Sequence, residues 1–281
     1  MSIEISDALK GGFRRFASRT GAVLALGYLL AFSVYMIGYF GLLAGAYARL
    51  DVGVPTPGPV PDLPIAAAAA VVLGGLLTMT YLSVVAIRTF VAGSRSSFPA
   101  GALSRNVPFA VGNMIAGGIA LMLLTGALVA VPVAVAAVAL DGLASGLVGL
   151  VLGLAAAVVA LYLTVALIFM PMYVAAEGTS FVAGLRRSWA LTRGERLSVF
   201  LLYLVLVVLV FGASIPLGIL SFVAALAGAG MIVAQLLNVV LIAPFTMFQL
   251  AVFSVAFQQL RAGGASDSGG AAPADASGTP A

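Results

Sequence analysis

Six long apolar runs alternate along the chain with short polar stretches in which arginine recurs. The runs cover residues 21–48, 65–87, 109–132, 142–176, 197–224 and 231–257. Runs of about twenty apolar residues need a hydrocarbon solvent. The expected fold is therefore all-α: an integral membrane protein of six transmembrane helices, with residues 1–261 as one membrane domain. The first run exceeds the apolar core of a cleaved signal peptide, about 7–15 residues, so it reads as an uncleaved span. The fourth exceeds the ~20 residues that cross a bilayer, and either tilt or a kink at Pro171 accommodates the excess.

The connections have character of their own. Pro55, Pro57, Pro59, Pro61 and Pro64 crowd the first one, which forbids helix and predicts an extended loop. Asp141 marks a turn between runs three and four, and Gly228 with Gly230 marks one between runs five and six. Residues 262–281 are mostly Gly, Ala, Ser, Asp and Pro and are expected to be a disordered tail.

Residues 3–19 predict an interfacial amphipathic helix. Ile5, Leu9, Phe13 and Phe16 share one face, and Lys10, Arg14 and Arg15 occupy the rest. Phe181, Val182, Leu185 and Trp189 repeat that pattern before run five, opposed by Arg186, Arg187 and Arg193. Asp7 and Thr179–Ser180 read as N-caps. Ser96 to Val107 is a weaker version, with Pro99 as a helix start and Leu103 and Val107 facing lipid. Aligning Ala8-Leu9, Ala102-Leu103 and Gly184-Leu185 yields a three-fold pseudo-repeat of interfacial helix plus helical hairpin.

Charge adds orientation. With a cytoplasmic N-terminus, every basic residue except Arg49 falls inside, and Asp51, Asp62 and Asp141 fall outside. The expected location is the cell membrane, with both termini cytoplasmic. The net charge of +4 follows the membrane, so the basic pI of about 9.7 does not imply nucleic acid. Alanine, glycine and valine are abundant, and Lys10 stands alone against the arginines, usage that suits a prokaryotic genome.

Composition then removes chemistry. The chain is 63% hydrophobic and 8% charged, which no soluble domain sustains. It contains no cysteine and no histidine, so thiolate chemistry, the usual general base and the commonest metal ligand are all missing. No charge sits mid-span, which argues against a proton-coupled pump or an ion channel. Ser145-Gly146 lacks a histidine to activate it. No enzyme, cofactor or metal motif is found.

One stretch carries a resemblance. Pro171-Met172-Tyr173-Val174-Ala175-Ala176-Glu177-Gly178 leads into Gly184-Leu185-Arg186-Arg187-Ser188-Trp189-Ala190-Leu191-Thr192-Arg193-Gly194. It resembles the membrane domain attached to some bacterial glycerophosphoryl diester phosphodiesterases, and stand-alone six-span relatives of unknown function. The resemblance implies membrane architecture alone. The phosphodiesterase activity belongs to a separate soluble domain with essential histidines, which this chain lacks.

The candidate residues fall into four groups. Arg186, Arg187, Arg193 and Arg196 with Trp189 read as topology anchors or as a grip on lipid headgroup phosphates or a partner. Glu177 is placed to pair with Arg186 or Arg187. Asn113, Gln235, Asn238 and Gln249 are intramembrane amides, suited to interhelical hydrogen bonds or to a substrate lining. Gly142, Gly146, Gly149 and Gly153 form a small-residue seam for close helix packing. Pro171 and Pro244 are read as ordinary kinks in preference to ion-binding helix breaks. The leading expectation is a non-enzymatic membrane scaffold or accessory protein engaging anionic lipid or a membrane-protein partner. The alternative is a transporter or lipid-handling protein with a cavity between pseudo-repeats.

Overall fold

The computed structural model describes residues 3–50, 63–139, 142–227 and 229–268. The prolines from Pro55 to Pro61, Asp141, Gly228 and the tail beyond Ser268 lie outside the described residues. In chain order the elements are α1 (Ile5–Phe16), α2 (Arg19–Leu50), α3 (Ile65–Val91), α4 (Val107–Ala139), α5 (Gly142–Leu167), α6 (Met170–Glu177), α7 (Phe181–Thr192), α8 (Arg196–Leu226) and α9 (Gly230–Ser268). Among the described residues, six segments are long and apolar enough to cross a bilayer, with α5 and α6 sharing one of them. The protein is an all-α, multi-pass membrane protein, and no strand occurs among the described residues. A helix is the natural form for these sequences, because it satisfies every backbone polar group within the segment where no water is at hand.

The outer surface confirms the solvent. Leu150, Leu154, Phe211 and Ile215 are each about two-thirds exposed, at 66%, 67%, 68% and 65%. Such a surface is stable only against hydrocarbon.

Helices pair as neighbours in sequence: α2 with α3, α4 with α5, and α8 with α9. Helix α9 is the hub, touching α1, α2, α3 and α8. One core cluster joins Val84 and Ile87 of α3, Phe169 at the α5–α6 junction, Met172 and Tyr173 of α6, Leu202 and Leu206 of α8, and Phe253 and Phe257 of α9. A second joins Leu24 and Phe32 of α2, Phe90 of α3, and Met247 and Ala251 of α9. Both draw on the half of each helix nearer the arginine-rich connections, here called the basic end. The opposite halves of α4, α5 and α8 are mostly exposed.

Close helix approach does not follow the predicted seam. Gly146 faces open space, and a Cβ on Gly153 would meet only Val133 Cγ2, at an ordinary 3.4 Å. Gly149 is half-buried and Gly142 opens α5. The spacing put these glycines on one line of α5, but at Gly146 and Gly153 that line makes no backbone-to-backbone approach. The tight contacts lie elsewhere. A Cβ on Gly75 would sit 2.9 Å from Tyr35 Cα, and one on Gly38 would sit 2.9 Å from the Val72 nitrogen, so α2 and α3 touch backbone to backbone. Gly12 of α1 is pressed against Val252 of α9, where a Cβ would stand 2.7 Å from the Val252 Cα.

Other expectations are adjusted. Glu4, not Asp7, is the residue preceding α1, and Asp7 falls in its first turn. Residues 100–106 form consecutive turns rather than a short helix. Gly101 and Asn106 adopt positive φ there (73° and 45°), which breaks any helical run before α4. Helix α9 continues to Ser268, into the segment expected to be disordered from residue 262.

Candidate functional site

The polar chemistry of the described residues gathers at the basic end, around a break in the fourth span. Helix α5 stops at Leu167 and α6 starts at Met170, with Pro171 at the start of α6. A proline there removes a donor and crowds the preceding turn, which frees main-chain groups. Helix α7 supplies their partners. The Ser188 hydroxyl accepts from the Phe169 N–H at 3.2 Å and donates to the Ala166 carbonyl at 3.0 Å. Thr192 donates to the same carbonyl at 3.2 Å. Ser188 and Thr192 are fully buried and lie with Gly184 on the inner face of α7. The break is therefore closed by hydroxyls, and the Ala166 carbonyl is not available to an ion. Pro244 sits inside an unbroken α9.

Helix α7 is held at its start as well. Ser180 is its N-cap, accepting from Ala183 N–H at 3.4 Å. Asn113 of α4 accepts from the Phe181 N–H at 2.9 Å. Asn113 is thus an interhelical clamp. Gln235 and Asn238 sit near the opposite end of the bundle, early in α9, where Asn238 is exposed. Gln249 is half-buried further along α9. The amides do not meet in one cavity. A groove of about 300 Å³ between α4 and the α5–α6 break is lined by Leu121, Met122, Thr125, Thr164, Leu167, Ile168 and Pro171. Its threonines bond to carbonyls of their own helices.

The arginines divide into two sets. In the first, each guanidinium is engaged inside the fold. Arg15 of α1 donates to the Phe90 carbonyl at the end of α3 and to Gln258 Oε1 of α9 at 2.6 Å, while Gln258 donates to the Val91 carbonyl. Burial, and after it the nearby Arg95 charge, pull the Arg15 guanidinium below its ordinary pKa. Arginine begins so high that it stays charged. Arg88 donates through Nε to the Ala175 carbonyl at 2.8 Å and through Nη1 to the Ala102 carbonyl at 3.2 Å. Arg196 lies over the rings of Trp189 and Tyr162, at 4.3 and 4.8 Å from their centroids, and donates to the Tyr162 hydroxyl.

Glu177 ties α6 to both α7 and α9. Its carboxylate pairs with Arg187 at 2.7 Å and with Arg261 at 2.6 Å. Arg187 was one of the two expected partners. Arg261 was not foreseen, because no sequence spacing relates residues that far apart. The arginine side chains are 52% exposed, so solvent screening discounts each pair. Glu177→Gln should cost about 1 kcal/mol. Glu177→Lys, which gathers three cations, should lower the unfolding midpoint and the yield in membranes further. A Glu177→Lys protein that unfolds like the parent would refute the clamp.

The second set is exposed: Lys10, Arg14, Arg19, Arg95, Arg105, Arg186 and Arg193. The predicted group of Arg186, Arg187, Trp189, Arg193 and Arg196 is therefore split. Arg186 and Arg193 face outward, while Arg187 and Arg196 hold neighbouring helices, and Trp189 packs edge-on against Tyr162. The sequence reading missed Ser188 and Thr192. Their spacing from Gly184, a small or hydroxylated residue every fourth position, is the signal that marks them.

Among known proteins, the profile of a domain family of unknown function, DUF7847, matches residues 3–260. No curated protein and no solved structure matches the chain.

Proposed function

The chain belongs to the DUF7847 family of unknown function, and from that starting point we propose, on its own geometry, a non-enzymatic membrane scaffold or accessory protein. It sits in the cell membrane with both termini cytoplasmic, and its basic end engages anionic lipid headgroups or an acidic face of a membrane partner. The observation that carries this reading is the second set of cations. Lys10, Arg14, Arg19, Arg95, Arg105, Arg186 and Arg193 are all exposed on one end, while the remaining arginines of that end are engaged by the fold. Near an anionic leaflet each such cation contributes about 1 kcal/mol. Helices α1 and α7 support it further, since each turns small residues inward (Ala8 and Gly12, Gly184 and Ser188) and basic residues outward. The separation of Asn113 from Gln235 and Asn238 favours this reading over a transporter.

Two measurements test it. The purified protein should retain phosphatidylglycerol over phosphatidylcholine, and Arg186→Gln with Arg193→Gln should weaken that preference; equal retention of both lipids would end the idea. Orientation is open to cysteine labelling without background, because the chain has no native cysteine. In intact cells an impermeant maleimide should react with Pro57→Cys and not with Ser97→Cys. The reverse labelling would invert the protein.

A further inference from the structure

We infer that the basic end contains a discrete binding site for one phosphate-bearing anion, built from Arg88 and Arg105 where the end of α3, the turns before α4 and the end of α6 meet. A cavity of about 220 Å³ lies there, lined by Arg88, Pro99, Ala102, Arg105, Asn106 and Gly178 among others. That volume is below the range of drug-sized pockets and suits a small group. Two arginines face it, and among the described residues no carboxylate lines it. Arg88 and Arg105 lie within Coulombic range of each other, an arrangement that an intervening anion relieves.

The site is preorganised. The Arg88 guanidinium is fixed by the Ala175 and Ala102 carbonyls, and these bonds leave Nη2 uncommitted. The turns that carry Arg105 are fixed in their turn: Arg105 N–H donates to the Gly101 carbonyl at 2.9 Å, and Tyr81 donates to the Leu103 carbonyl at 3.2 Å. Asn106 immediately precedes α4, so the positive end of a helix dipole adds to the two guanidinium charges. Arginine forks match phosphate oxygens. The cavity stands at the basic end of span Ile65–Val91 and is open to the outside, so a headgroup at the edge of the hydrocarbon and a soluble anion can both reach it. A headgroup phosphate and a free phosphate monoester share this chemistry.

The test uses the full chain in detergent. Inorganic phosphate, against chloride at matched ionic strength, is titrated while the unfolding midpoint is followed. In a parallel arm, one-to-one retention of phosphatidylglycerol is followed by native mass spectrometry. Arg105→Gln leaves the Arg88 bonds to Ala175 and Ala102 in place and should weaken the response about tenfold or more in the arm that responds. Arg49→Gln, an exposed arginine at the opposite end of the bundle, should not. A response to phosphate identifies a soluble ligand, and one to lipid alone identifies a headgroup. No response in either arm, or a response unchanged by Arg105→Gln, overturns the site and leaves the surface role of Arg186 and Arg193 untouched.

Discussion

Replacing Ser188 by alanine together with Thr192 by valine is expected to lower the unfolding midpoint in detergent by on the order of 5–10 °C. Hydrogen bonds between membrane helices contribute on average only about 0.6 kcal/mol, because helices separated in lipid find other partners. This case differs in kind. The Phe169 N–H and the Ala166 carbonyl are main-chain groups freed by the α5–α6 break, and Ser188 and Thr192 are the partners they have there. Each orphaned group costs about 1–3 kcal/mol when buried. The double substitution also removes the polar contact that locates α7 against the break. Ser214→Ala is the control, since its hydroxyl bonds only to Val210 of its own helix. A double variant that melts with the parent would show that the break is satisfied by other means.

The second large effect separates two adjacent glycines. Gly75→Ala is expected to destabilise by about 1–3 kcal/mol, the range for overpacking a tight contact. Its new methyl would stand 2.8 Å from Tyr35 Cβ and 2.9 Å from Tyr35 Cα, and backbone cannot turn aside as a flexible side chain can. Gly74→Ala should be neutral or stabilising, because nothing lies within 4 Å of its would-be Cβ and alanine is the better helix former. Matched unfolding curves for the two variants would refute the packing of α2 on α3 at this crossing.

These two predictions mark where reading the sequence stops being sufficient. Gly74 and Gly75 are identical in composition and differ by one helical step, so only the neighbour on α2 decides which one matters. The glycine line from Gly142 to Gly153 had the better pattern, yet Gly146 and Gly153 on it have the looser surroundings. Pattern reports which residues share a face of a helix; it does not report which face meets another helix when every face is apolar. In water the polar face would settle that choice, and in hydrocarbon it is undetermined by hydrophobicity alone.

The arginines teach the same lesson from the other side. Their number and spacing placed all of them except Arg49 at one end, because a guanidinium is costly at the bilayer centre. Whether a given arginine staples the fold or faces outward depended on contacts from distant parts of the chain. Arg187 and Arg261 converge on Glu177, and Arg15 reaches Phe90 and Gln258. Arg186 and Arg193, from the same short segment, meet solvent.

By itself the sequence determined the solvent, the helical class and the number of spans, since each follows from the transfer free energy of local apolar runs and from the need to satisfy the backbone within them. Tertiary structure alone decided that α9 is the hub, that Ser188 and Thr192 close the α5–α6 break, and that Arg88 and Arg105 share a cavity. Those outcomes depend on steric fit and hydrogen-bond geometry between segments far apart in the chain, and no local preference encodes such distances.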